Sequence, residues 1–198
     1  MHRKRQQMAL INYPKREIVY KVVYYGTGLG GKTTNLRYLH ANLDPSVRGE
    51  LVTVATETER TLFFDFMPLD LGEVEGYKAR FALYTVPGQI EYGESRRMIL
   101  KGADGIIFVA DSSAVRRQAN IEALQGMMDN LKEHKLSLTG VPWVLQYNKR
   151  DLTDALPIET LEKDLNQTKV PSFEAVATEG KAVFGTLKTL SQMVVQKQ

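Results

Sequence analysis

Apolar and polar positions along the chain fall into two alternating patterns. Short runs rich in β-branched and aromatic residues read as strands: 18–25 (IVYKVVYY), 61–66 (TLFFDF), 78–86 (KARFALYTV), 105–111 (GIIFVAD), 141–148 (VPWVLQYN) and 172–177 (SFEAVA). Between them, apolar residues recur at helical spacing. Leu36, Leu39 and Leu43 mark a helix over 32–43, and Ile121, Leu124, Met128 and Leu131 mark a long one. A helix opens near Pro157, and Val183, Leu187, Leu190 and Val194 mark a last one over 181–195. The run 105–111 is apolar throughout, as expected of a central strand covered on both faces. Pro68, Gly72 and Gly76 lie between the second and third runs and suit an antiparallel hairpin. Residues 44–60 read as mostly loop, with LVTV (51–54) a candidate short extra strand. Strands alternating with helices predict an α/β, three-layer fold. Its sheet is expected to be mostly parallel and six-stranded, with one antiparallel edge strand and helices on both faces.

Composition changes this picture little. The 198 residues suit one domain with a substantial core. Apolar residues make up 43% and charged residues 25%, ordinary for a globular protein. There is no cysteine, which excludes disulfides, thiolate metal sites and thiol-linked lipids and fits a reducing cytoplasm. No apolar run reaches the ~20 residues of a membrane span. The net charge of +3 does not argue for nucleic acid. Basic residues do cluster at the start, and residues 1–10 read as a basic extension, a solvated tail, before a single domain over 11–198. Met8 is a candidate natural start.

Chemistry enters with GTGLGGKT at 26–33, a full G-x-x-x-x-G-K-[ST] phosphate loop set between a predicted strand and a predicted helix. Glycines let the backbone wrap a phosphate, and the amides of the loop and helix start point at the anion. Lys32 would reach the β- and γ-phosphates, and the Thr33 hydroxyl would ligate Mg²⁺. Downstream, NKRD (148–151) follows another predicted strand. The Asp151 carboxylate can accept two hydrogen bonds from the N1 and N2 donors of guanine, which adenine lacks. Asn148 would brace this loop, and the stem of Lys149 would lie along the ring. VAT (176–178) follows the last strand, where the Ala177 amide could reach guanine O6.

One motif is altered. YTVPGQIEY (84–92) carries Gly88 and Gln89, but Thr85 stands where a GTP-switch protein would keep the aspartate of Asp-x-x-Gly.

The order of these motifs resembles the Ras-like small GTPases, a P-loop NTPase family. The stretches INYPKREI, VYYGTGLGGKTTNLRYL, TETERTLFFDFMPLDLGE, LYTVPGQIEY, SRRMILKGADGIIFVADS, QYNKRDL and AVATEGKAVFGTLK are similar to its bacterial gliding-motility and polarity branch, the MglA-type proteins. The resemblance covers nearly the whole chain from Ile11. It implies a slow GTPase that binds GTP and GDP with Mg²⁺ and binds partners according to the nucleotide. The implied phosphate contacts are Gly28, Leu29, Gly30, Gly31, Lys32, Thr33, Thr34, Thr61 and Gly88. The implied guanine contacts are Asn148, Lys149, Asp151, Val176 and Ala177.

In this branch threonine at position 85 is the usual pattern. Thr33 and Thr61 are implied as metal ligands, and Asp65 is the first candidate to hold a metal-bound water in place of the missing acid, with Asp111 second. Arg60 resembles a built-in arginine finger, and Gln89 would orient the attacking water. An MglB-type roadblock-fold homodimer is implied as activator, with polarity and motility effectors, in a cytoplasmic protein recruited to the cell pole. Two rival readings are a non-hydrolysing guanine-nucleotide scaffold, suggested by Thr85, and a nucleotide kinase, opposed by NKRD. Trp143, the FFDF aromatics, Met127 and Met128 read as packing, and the three histidines have no metal-ligand spacing.

Overall fold

The structure, a computed structural model, describes residues 9–54, 64–88 and 93–197. Eight strands form one sheet: β1 (Leu10–Asn12), β2 (Glu17–Gly26), β3 (Val52–Val54), β4 (Phe64–Val74), β5 (Tyr77–Thr85), β6 (Gly105–Asp111), β7 (Trp143–Asn148) and β8 (Ser172–Glu174). The helices are α1 (Lys32–Asn42), α2 (Gly93–Leu100), α3 (Arg117–Glu133), α4 (Ile158–Leu165) and α5 (Val183–Gln196). Strand order is β3-β4-β5-β2-β6-β7-β8, with β1 also paired to β2. The pairs among β5, β2, β6, β7 and β8 are parallel, while β3–β4, β4–β5 and β1–β2 are antiparallel.

The six expected strands are present, and two three-residue strands, β1 and β3, extend the sheet beyond six. The hairpin is also present, but its turn is shorter than the glycines suggested. β4 runs on through Pro68 to Val74, and Glu75 and Gly76, with φ of 51° and 81°, make the two-residue turn. Proline is tolerated because β3 leaves β4 after Phe66, and the segment 47–49 that then lies along β4 needs only the Pro68 carbonyl there. That carbonyl accepts the Gly49 amide at 2.9 Å. β8 ends at Glu174, three residues short of the predicted strand, because the chain then turns into the loop 175–181.

β2 shows how one strand builds two cores. Tyr20, Val22 and Tyr24 pack toward Leu36 and Leu39 of α1 and Leu187, Leu190 and Val194 of α5. The alternate residues Val23 and Tyr25 pack toward Met127 and Leu131 of α3. Every residue of β6 is buried, as its unbroken apolar run predicts, and Trp143 lies in the second core. No helix among the described residues is long and apolar enough to cross a membrane. The carboxyl ends of β2, β5, β6 and β7 all open at one edge of the sheet, where ligands bind in such folds.

Candidate functional site

That edge holds a cleft of about 690 Å³ lined by the phosphate loop, the start of α1, Thr53, Asp65 and the segment from Thr85 to Gly88. α1 begins at Lys32 with no side-chain cap and no acid in its first turn. Its first amides are therefore unclaimed by side chains and suited to an anion. Gly31, the cap, has φ of 102°, and a Cβ there would stand 2.1 Å from Asn148 Nδ2. Only glycine satisfies both demands. Gly28 and Leu29 form the outer bend, with Leu29 at φ 61° and 91% exposed, and Thr34 lines the cleft from the first turn of α1. The Gly30 amide closes the bend onto the Thr27 carbonyl at 3.3 Å.

Lys32 is buried, and its Nζ donates to the carbonyls of Gly26 (3.1 Å) and Thr27 (2.6 Å). Burial, then the positive field of Arg96, brings its ammonium down to about 8; Asp65 opposes this and Arg116 adds to it. An anion placed in the cleft would reverse that penalty.

A carboxylate stands beside Thr85 on the neighbouring strand. Phe66 pairs with Tyr84, which sets Asp65 against Thr85, and Asp65 pairs with Thr53 on the other side. Three threonine hydroxyls surround the buried Asp65 carboxylate. Thr33 donates to Oδ2 at 2.5 Å, Thr85 to Oδ2 at 2.9 Å and Thr53 to Oδ1 at 2.9 Å. The Asp65 amide donates back to Thr85 Oγ1 at 2.8 Å. A carboxylate thus reaches the phosphate-loop hydroxyl from β4. Asp111 is engaged elsewhere: its buried carboxylate takes Lys149 Nζ at 2.7 Å and the Ser113 amide at 3.1 Å.

Gly88 closes the cleft on the same side. A Cβ on it would lie 2.2 Å from both Cα and N of Gly28, so the segment after β5 rests directly on the phosphate loop. Arg60, Thr61 and Gln89 lie outside the described residues.

On the opposite side, Asn148 is a brace in two directions. Its Nδ2 donates to the Gly30 carbonyl and its Oδ1 accepts the Ala177 amide, both at 2.9 Å. The Ala177 amide, expected to face a guanine O6, is therefore engaged with Asn148. Val176 exchanges backbone bonds with Lys181, closing the loop that carries Ala177. Asp151 is exposed, and no hydrogen bond engages its carboxylate among the described residues. Lys149, with φ of 64°, bends the loop there.

Two contributors carried no motif. Arg116 lies in a 3₁₀ turn before α3 and donates from Nη2 to the Gly28 carbonyl at 2.9 Å. Asn35 and Gln146 are fully buried and exchange amide bonds of 2.8 and 3.0 Å, and Asn35 also holds the Gly31 carbonyl at 2.9 Å. The usable signal was polarity in the wrong place: an amide inside the apolar strand 143–148 needs a buried partner.

The profile of the ADP-ribosylation factor family matches residues 7–194. The chain is similar to the mutual gliding-motility protein MglA of Myxococcus xanthus (strain DK1622). The two are 52% identical over 188 residues, which cover 95% of this chain and 96% of that protein. The matches span the sheet, the phosphate loop and the loops that converge on it; the chain belongs to the ADP-ribosylation factor family of small GTPases.

Proposed function

We propose that this chain is a GTP-hydrolysing switch that governs gliding motility and cell polarity, and that Asp65 performs the metal-side task of the aspartate replaced by Thr85. The observation that carries the second part is the Asp65 carboxylate bonded at once to Thr33 and Thr85. One bond reaches the phosphate loop, and the other reaches the position where the motif acid would stand. Among the described residues no group of three acids or histidines could cage a metal. The donor set is instead hydroxyl and carboxylate oxygen beside a phosphate site, which suits Mg²⁺ held jointly with a nucleotide. Thr33 would ligate it, joined by Thr61, and Asp65 would orient a water on it. When bound, the ion would neutralise charge on the β- and γ-phosphate oxygens.

The chain's own groups supply the rest. Lys32 and the open amides of α1 hold the phosphates, Asp151 selects guanine, and Asn148 fixes the two loops against each other. Arg60 and Gln89 are assigned to the transition state and to the attacking water. The similarity to MglA supports a motility role; an MglB-type roadblock-fold activator and recruitment of a cytoplasmic protein to the cell pole are what the motif resemblance implies.

Nucleotide release with and without Mg²⁺ tests the Asp65 assignment. Asp65→Asn should release GDP in Mg²⁺ as fast as the wild type does in a chelator; release at the wild-type rate would remove Asp65 from the metal site. Arg60→Ala and Gln89→Leu should bind GTP but lose the turnover stimulated by an MglB-type protein. Normal stimulated turnover in either sinks its role.

A further inference from the structure

Successive arginines at the start of α3 have different fates. Arg117 meets Asp164 through two bonds, Nε at 2.8 Å and Nη2 at 3.1 Å. Arg80, Arg97 and Arg150 likewise pair with Glu17, Glu133 and Glu174. Half-buried Arg116 reaches only a neutral carbonyl, that of Gly28, and no carboxylate pairs with it among the described residues. A guanidinium has several donors in a planar fork suited to phosphate, and one carbonyl does not use them up.

The turn that carries Arg116 is fixed at its base. Ser113 Oγ donates to Asp154 Oδ2 at 2.5 Å, the Ala114 amide donates to the Asp154 carbonyl at 3.1 Å, and the Arg116 amide donates to the Ser113 carbonyl at 3.0 Å. The guanidinium is therefore presented by a braced element.

The phosphate loop also has a direction. Gly30 and Gly31 abut Asn148, on the side of the base-reading loop. Gly28 abuts Gly88, in the segment after β5, and accepts a bond from Arg116. A nucleotide with its base at Asp151 runs its phosphates toward the Gly28 end. The field of Arg116 is already felt at Lys32.

We propose that Arg116 is a specificity-determining residue for the terminal phosphate, held at the Gly28 carbonyl so that its remaining donors distinguish a nucleoside triphosphate from a diphosphate. The inference rests on the guanine-nucleotide reading above.

The test compares affinities of the full chain for GDP and for a non-hydrolysable GTP analogue in Mg²⁺, with thermal unfolding alongside. Arg116→Ala should weaken the analogue about tenfold, a loss of about 1.4 kcal/mol, and leave GDP affinity within about twofold. Arg116→Lys should recover part of that loss, because the charge is kept and the fork is not. Arg117→Ala, which breaks the Asp164 pair, should lower the unfolding temperature without changing the ratio of the two affinities. Equal weakening of both ligands by Arg116→Ala, or no weakening, overturns the proposal and makes Arg116 a brace of the loop. Should Arg116→Ala not fold, the ratio measured for Arg116→Lys decides the matter. If the wild type binds neither ligand, the guanine-nucleotide reading itself fails.

Discussion

At Gly30 and Gly31 the phosphate loop is held by neutral side-chain amides; at Gly28 and Thr33 it is held by charged groups. Asn148 and Asn35 take the Gly30 and Gly31 carbonyls, and Asn35 is itself locked to Gln146, which also donates to Thr186 Oγ1 at 3.1 Å. All four of these side chains are buried. This end is complete without a ligand, since its donors and acceptors satisfy one another. The other end gathers Lys32, Arg116 and Asp65, whose charges are only partly offset within the protein. Such a cluster is sensitive to an added anion or cation in a way the amide end is not. The amide end is thus a fixed platform, and the charged end is where an added ion would be felt.

The strongest way to break this contrast is to add a second carboxylate to the charged end. Thr85→Asp restores the motif acid, but Thr85 Oγ1 already lies 2.9 Å from Asp65 Oδ2 in a buried site. Two carboxylates there would repel, and the variant should lose about 3–5 kcal/mol, the range for an uncompensated buried charge. The loss should shrink as pH is lowered toward about 4, because the folded pair holds a shared proton more tightly than the unfolded chain does. Combining Thr85→Asp with Asp65→Thr should restore most of the stability measured by denaturant unfolding. If the single variant is as stable as wild type, the acid has not moved strands.

Asn148→Ala probes the amide end. It leaves the Gly30 carbonyl and the Ala177 amide without their partner. At about 1–3 kcal/mol for each buried group left unsatisfied, the two groups together make the expected loss at least about 2 kcal/mol. GDP and a GTP analogue should weaken together, since this end carries no charge that distinguishes them. Selective loss of the triphosphate would break the division between the two ends.

The two ends were also unequally legible. Gly30 and Gly31 of GTGLGGKT and Asn148 of NKRD announce the amide end, while of the charged end GTGLGGKT announces only Gly28, Lys32 and Thr33. Strand and helix periods placed both motifs on the correct edge. Asp65 could be named as a candidate from its strand, but its partners could not. The bonds to Thr33, Thr53 and Thr85 depend on the register among β3, β4 and β5, which local pattern does not fix. Arg116 left no signal, since a basic pair at a helix start usually reads as a solvated face. The short strand β1 went unread, and β3 stood only as the candidate strand at 51–54, because three residues carry too little periodicity. The extent of β4 was missed because Pro68 and Gly72 suggest a turn, whereas the sheet edge accommodates both.

A weaker test asks whether all three hydroxyls around Asp65 matter equally. Thr33 and Thr85 both donate to Oδ2, at 2.5 and 2.9 Å, whereas Thr53 donates to Oδ1 from the exposed short strand β3. Water can take the place of the Thr53 hydroxyl on that open side, so no acceptor is left dry. Thr53→Val should therefore change stability by about 0.5 kcal/mol or less, as at ordinary surface positions. Valine also suits a strand as well as threonine does. Nucleotide release in Mg²⁺ should stay within about twofold of wild type, since a change under about 0.5 kcal/mol alters a rate by little more than that. A variant that instead matched Asp65→Asn would place Thr53 within the charged end, which would then reach across β3 to the edge of the sheet.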